Sequence, residues 1–176
     1  DHGFAQPLQL IWGDLGTPPV IPIFLNAVAA PGIPRLRRCR ALGQAVGTFL
    51  ENDNRRILFI GSGGLSHEPP VPTLDDPDAA VRERITARQN PTQVERDAKT
   101  KRVMAAGMAL ASGSGAIKPL NPSWDKQWMD AMSGDQKALD QLCSLSESAI
   151  SKEGGRSAHE SKSWLIARSA LVNEGI

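Results

Sequence analysis

The stretch RRILFIG (55–61) decides how this chain is read. Its short apolar run is rich in β-branched and aromatic residues and stops at glycine, which is the pattern of a buried strand. Upstream, PPVIPIFLN (18–26) has the same character, with prolines marking an entry or an edge. Between the two lie a linker, AAPGIP, and a segment in which Leu36, Cys39, Leu42, Val46, Phe49 and Leu50 recur at helical spacing beneath a basic outer face. Strand, helix and strand within about 45 residues form a crossover unit, which predicts an α/β fold with a central mixed sheet flanked by helices.

After residue 70 the pattern turns helical. Helices are predicted over 77–88, 92–112, 122–132, 136–145 and 158–173, with breaks at 113–115 and in SKEGGRS (151–157). This helix-rich second half offers too few strands to complete a sheet, and the first residue is Asp1 rather than methionine. The expectation is a single α/β domain over 1–176, the C-terminal part of a longer chain whose first strands lie upstream.

With 176 residues, 40% of them hydrophobic, the chain can build one sizeable core. Twenty Lys and Arg against nineteen Asp and Glu leave a net charge of +1, which argues against a nucleic-acid partner and against an acidic disordered tail. No apolar run approaches the roughly 20 residues of a membrane span, and the start has no basic-then-apolar leader pattern, so a cytoplasmic protein is expected. Cys39 and Cys143 form no C-x-x-C pair and read as small buried hydrophobes.

The loop after RRILF, GSGGLSHEPP (61–70), fails as a phosphate cradle. A dinucleotide fingerprint needs glycine where Ser66 stands, Pro69 and Pro70 block an immediate helix, and no Gly-Lys-Ser/Thr follows. The glycines then serve geometry, letting backbone approach a ligand closely while His67 is presented at the carboxyl end of a strand. An imidazole there can exchange protons near neutral pH, or can simply be hydrogen-bonded within the loop; local sequence leaves both open.

The other histidines are His2, in DHGFAQPL, and His159, in RSAHESKSW. Neither His67-Glu68 nor His159-Glu160 continues to H-E-x-x-H, and G-x-S-x-G is missing, so zincin and nucleophile-elbow chemistry are excluded. Glu160 stands three residues after Ser157, as in a capping box, and that is the stronger local reading. Its spacing to Trp164, Ala167 and Leu171 nevertheless puts it on one helical face, where a carboxylate needs a partner such as a metal. Trp124, Trp128 and Met132 make an apolar stripe for a core, or a wall for an aromatic ligand. From residue types alone, His2, His67 and Glu160 compose a two-histidine, one-carboxylate non-haem iron set.

In order along the chain, DHGFAQPL, PVIPIFLN, RRCRALGQAVG, FIGSGGLSHEPPVP, LNPSWDKQWM and AHESKSWLIARSAL resemble the class III extradiol catechol dioxygenases, the protocatechuate 4,5-dioxygenase superfamily. The resemblance runs from Asp1 to about residue 173. It implies Fe(2+)-dependent ring cleavage of a 3-substituted catechol, such as 2,3-dihydroxyphenylpropionate, with O2, by a homo-oligomer with no nucleic-acid or membrane partner. It also implies different roles within the set: His67 as proton acceptor, His2 as proton donor and Glu160 as the metal ligand, the two iron histidines lying upstream. The rivals are a non-enzymatic binding module of the same superfamily and an inactive truncated fragment.

Overall fold

The structure is a computed structural model that describes residues 2–13, 16, 18–28, 31–70, 72–87, 90–115 and 117–171, without the side chain of His2. Among these residues it is helical and contains no strand. The helices are α1 (His2–Trp12), α2 (Leu36–Leu50), α3 (Ala79–Thr86), α4 (Gln93–Ala111), α5 (Pro122–Ser133), α6 (Gln136–Leu142), α7 (Glu147–Gly154) and α8 (Lys162–Ala170), with a 3-10 turn at Arg156–Ser161 leading into α8. No helix among the described residues is long and apolar enough to cross a membrane.

The predicted mixed sheet is therefore corrected. Residues 18–26 and 55–61 are non-helical, as their composition requires, but no backbone ladder joins either of them to another described segment. An extended run becomes a strand only when a neighbour supplies its N–H and C=O partners. Without one, the apolar side chains stay out: Ile21 is 89% exposed, Phe24 67% and Leu58 65%. The pattern specified the backbone's preference without specifying a partner.

The helix between them keeps its predicted span and packs along α8 rather than on a sheet. Leu36, Cys39 and Gly43 of α2 are buried, as are Lys162, Leu165, Ile166 and Ser169 of α8. A Cβ on Gly43 would stand 2.3 Å from the Ile166 carbonyl oxygen, and one on Gly47 2.4 Å from that of Ala170. The two helices thus meet backbone to backbone, which only glycine permits along this seam.

Around this pair, Trp124, Trp128, Leu139, Leu142, Cys143, Ile150 and Ala158 complete one core. The tryptophan stripe is part of it, with ring centroids 5.2 Å apart. The stripe also walls an open groove of about 480 Å³ whose lining includes neither His67 nor Glu160. Both cysteines are buried and unpaired, and burial pushes both thiols up.

Helix starts follow their caps. Asp78, Asn121, Asp135 and Ser146 each accept a backbone N–H from the following turn, and Thr92 and Glu95 form a reciprocal capping box. Several predicted boundaries move: the helix expected over 77–88 starts at Ala79, and the one expected over 136–145 ends at Leu142. The expected break at 151–157 is confined to Gly155, whose φ of +86° suits glycine: α7 runs through 151–154, next to the buried Ile150, and is capped there. The single helix expected from Ala158 is a 3-10 turn followed by α8. The predicted ends at positions 88 and 173 fall outside the described residues.

Candidate active site

Residues 61–67 lie flat against the 3-10 turn and the start of α8. A Cβ on Gly63 would stand 2.5 Å from the Glu160 carbonyl oxygen, and one on Gly64 2.6 Å from Cε1 of His67. The close approach that the glycines permit is thus to the protein's own backbone and to the imidazole. Three bonds fasten the loop there. The Ser163 hydroxyl donates to the Ser62 carbonyl at 2.6 Å, the Trp164 indole N–H to the Gly63 carbonyl at 3.2 Å, and the Gly64 N–H to Oε2 of Glu160 at 3.1 Å.

That last bond corrects the capping-box expectation. The 3-10 turn begins after Gly155 with no side-chain cap, and Glu160 reaches across to the glycine loop instead of back to Ser157. Its other oxygen, Oε1, stands 3.6 Å from Nε2 of His67, and the two side chains are 35% and 33% exposed. The chain thus brings together two of its three expected site residues from positions 93 apart in sequence.

The hydrogen bonding of His67 fixes its chemistry. Nδ1 lies 2.8 Å from the Leu65 carbonyl oxygen. A carbonyl only accepts, so Nδ1 carries the proton and the neutral ring has its lone pair on Nε2, toward Glu160. A proton can therefore enter or leave at Nε2, 3.6 Å from Oε1 of the carboxylate. The neighbouring acid is kept out of this pair: Glu68 binds Arg156 Nε at 2.6 Å. His67 does not stand at the end of a strand, since no sheet forms among the described residues; the loop's anchors on α8 replace it. His2 opens α1, and its imidazole lies outside the described atoms.

A family model for the catalytic LigB subunit of aromatic ring-opening dioxygenase matches residues 1–175. The chain belongs to the LigB family. It is 64% identical over 172 residues to a 2,3-dihydroxyphenylpropionate/2,3-dihydroxicinnamic acid 1,2-dioxygenase of Comamonas testosteroni, covering 97% of this chain and 53% of that protein. Proteins of the same name from Mycobacterium ulcerans and Pseudomonas putida are 49% and 45% identical, each covering 99% of this chain and 55% of the relative. The chain spans about half the length of the curated relatives it matches.

LigB membership implies a metal cofactor. Among the described residues, however, no group of three or more His, Cys, Asp or Glu side chains stands together as a metal centre. Glu160 with His67 supplies a carboxylate and one imidazole, fewer protein donors than a two-histidine, one-carboxylate site requires. These residues alone do not make a complete iron site.

The third histidine in this LigB chain is of another kind. His159 is 1% exposed, with Nε2 2.8 Å from the Ser151 hydroxyl. Burial, reinforced by the Lys162 ammonium and opposed by Glu147, pushes its pKa down to about 4. The folded state thus declines a proton that the unfolded chain takes up below about 6.5. Stability from this group is full above about pH 6.5 and is lost as pH falls toward 4, a total of about 3 kcal/mol. Urea unfolding in chelator at pH 7 and pH 4.5 is expected to show that loss, and a His159→Asn variant to show a smaller acid slope. Equal slopes in the two proteins would remove His159 as the cause.

Sequence reasoning passed over Asp125 and Arg156 and took Ser66 only as a missing glycine, whereas the three hold the loop from its far side. The available signal was Asp125 in the first turn of a helix opened by Asn121 and Pro122, a position that faces back toward preceding loops.

Proposed function

We propose that this chain carries the proton-transfer machinery and one metal ligand of an Fe(II)-dependent extradiol dioxygenase, an enzyme that opens a 3-substituted catechol such as 2,3-dihydroxyphenylpropionate between a hydroxylated and a substituted carbon, placing both atoms of O2 in the product. One observation carries the proposal above all: a loop histidine with its tautomer set by a carbonyl, its free nitrogen facing a carboxylate, in a LigB chain. His67 Nε2, 3.6 Å from Oε1 of Glu160, takes the proton of a ring hydroxyl. Glu160 is one ligand of the iron, and His2 returns a proton later in the cycle. Iron, when bound, supplies the oxygen chemistry. The names of the matched relatives support the substrate class. The cytoplasmic, homo-oligomeric setting is supported by two buried unpaired cysteines and by the exposed Ile21, Phe24 and Leu58.

The native-length polypeptide, loaded with ferrous iron and given 2,3-dihydroxyphenylpropionate in air, is expected to consume O2 and form a yellow dienoate. Iron uptake without oxygen consumption across a series of 3-substituted catechols would overturn the enzyme in favour of a binding module.

A further inference from the structure

The Leu65–Ser66 peptide is held at both edges by different parts of the molecule. Its carbonyl accepts Nδ1–H of His67 at 2.8 Å. Its N–H donates to Oδ1 of Asp125, on α5, at 2.7 Å, and the other oxygen of the same carboxylate accepts the Ser66 hydroxyl at 2.9 Å. That hydroxyl in turn accepts the Asn121 N–H at 2.8 Å, while Asn121 caps α5 at the Trp124 N–H and donates to the Glu153 carbonyl at 3.1 Å. The next backbone N–H, that of His67, is tied to the Gly154 carbonyl at 2.9 Å. Ser66 is 6% exposed, so these bonds are made in a largely dry setting where they are strong.

A peptide unit is a rigid plane with its N–H and C=O pointing in opposite directions. Whatever orients the Ser66 N–H also orients the Leu65 carbonyl, and that carbonyl sets both the tilt and the tautomer of the His67 ring. A carboxylate on the N–H edge also polarises the unit, making the carbonyl a better acceptor.

We propose that Asp125 is a positioning residue that acts through the Leu65–Ser66 peptide to hold His67 with its proton on Nδ1 and its lone pair on Nε2. Asp125 touches neither Glu160 nor the reacting nitrogen; it governs where that nitrogen points. The catalytic consequence rests on the reading of His67 as the base, whereas the tautomer consequence does not.

Both are measured on the native-length protein. Histidine-selective 15N NMR, with His67 assigned by loss of its signals in His67→Gln, is expected to show a protected Nδ1–H tautomer in the parent. In Asp125→Ala the signal is expected to become an average of the two tautomers. Turnover is expected to drop by about 10²-fold in kcat with KM moved less than about threefold, as for a misplaced group that acts after binding. Ser66→Ala removes the hydroxyl but keeps the peptide N–H on Asp125, and is expected to keep the Nδ1–H signature. Asp125→Ala with that signature intact, or Ser66→Ala losing it to the same degree, would overturn the proposal. If Asp125→Ala does not fold, Asp125→Asn decides, because it keeps an acceptor without the charge: faster solvent exchange of the Nδ1 proton supports the relay, and unchanged exchange overturns it. A parent that cleaves no catechol while the tautomer responds as stated sinks the assigned function and leaves the relay standing.

Discussion

Glu160→Ala in the native-length protein is expected to lose its metal, whereas His67→Ala is expected to keep the metal and lose turnover. Loss of an outer partner to a metal ligand already costs about 10–100-fold in affinity, so removal of a ligand itself is expected to exceed about 10²-fold. Loss of a general base costs about 10²–10⁴-fold in rate. The two effects separate cleanly by metal analysis after dialysis, set beside oxygen uptake. The alternative is that Nε2 of His67, which stands 3.6 Å from Oε1 with its lone pair turned inward, is itself a ligand. Equal metal loss in the two variants would establish that alternative and withdraw the base role. Glu160→Ala also deprives the Gly64 N–H of its acceptor, so loosening of the loop is expected there and not in His67→Ala.

Helix α2 was legible because its apolar spacing and its basic outer face agree. The starts expected at 92 and 122 fall within a residue of those of α4 and α5, where Thr92 and Asn121 cap their own following turns. The glycine loop was legible as a device for presenting His67, and its partner Glu160 was singled out although the capping box competed for it. What local pattern could not carry was any choice among distant partners. A run such as RRILFIG states a preference for extension but names no neighbour, and here no described neighbour takes it up. The Asp125 carboxylate meets Ser66 across 59 positions, a meeting set by the packing of α5 rather than by either residue's surroundings in sequence. The roles within the set came from resemblance, and remain for the Glu160 and His67 variants to test.

Lys162→Ala is expected to cost about 3–5 kcal/mol of stability, from the cavity left by a fully buried long side chain together with an orphaned carbonyl. Lys162 is fully buried at the first position of α8, directly after the turn that carries Glu160. Its ammonium donates to the Pro34 carbonyl at 2.6 Å and stands 3.8 Å from Oε1 of Glu147. Burial pulls its pKa down, and Glu147 pulls it part of the way back. Pro34 immediately precedes the Arg35 cap of α2, so one side chain ties the start of α8 to the entry of the helix it packs along. Alanine would leave a cavity, an orphaned carbonyl and a carboxylate without its cation. Methionine fills nearly the same volume and carries no charge to desolvate, and Glu147 is partly exposed and can turn to water. Lys162→Met is therefore expected to lose only about 1–3 kcal/mol, the cost of the unpaired carbonyl. Urea unfolding at neutral pH separates the two variants through their midpoints. Because Ser163 and Trp164 fasten the glycine loop from the next two positions, Lys162→Ala is also expected to loosen the contact between His67 and Glu160. A cost below about 1 kcal/mol for both variants would show that the glycine seam alone fixes α2 against α8, with the buried lysine contributing nothing to the site's frame.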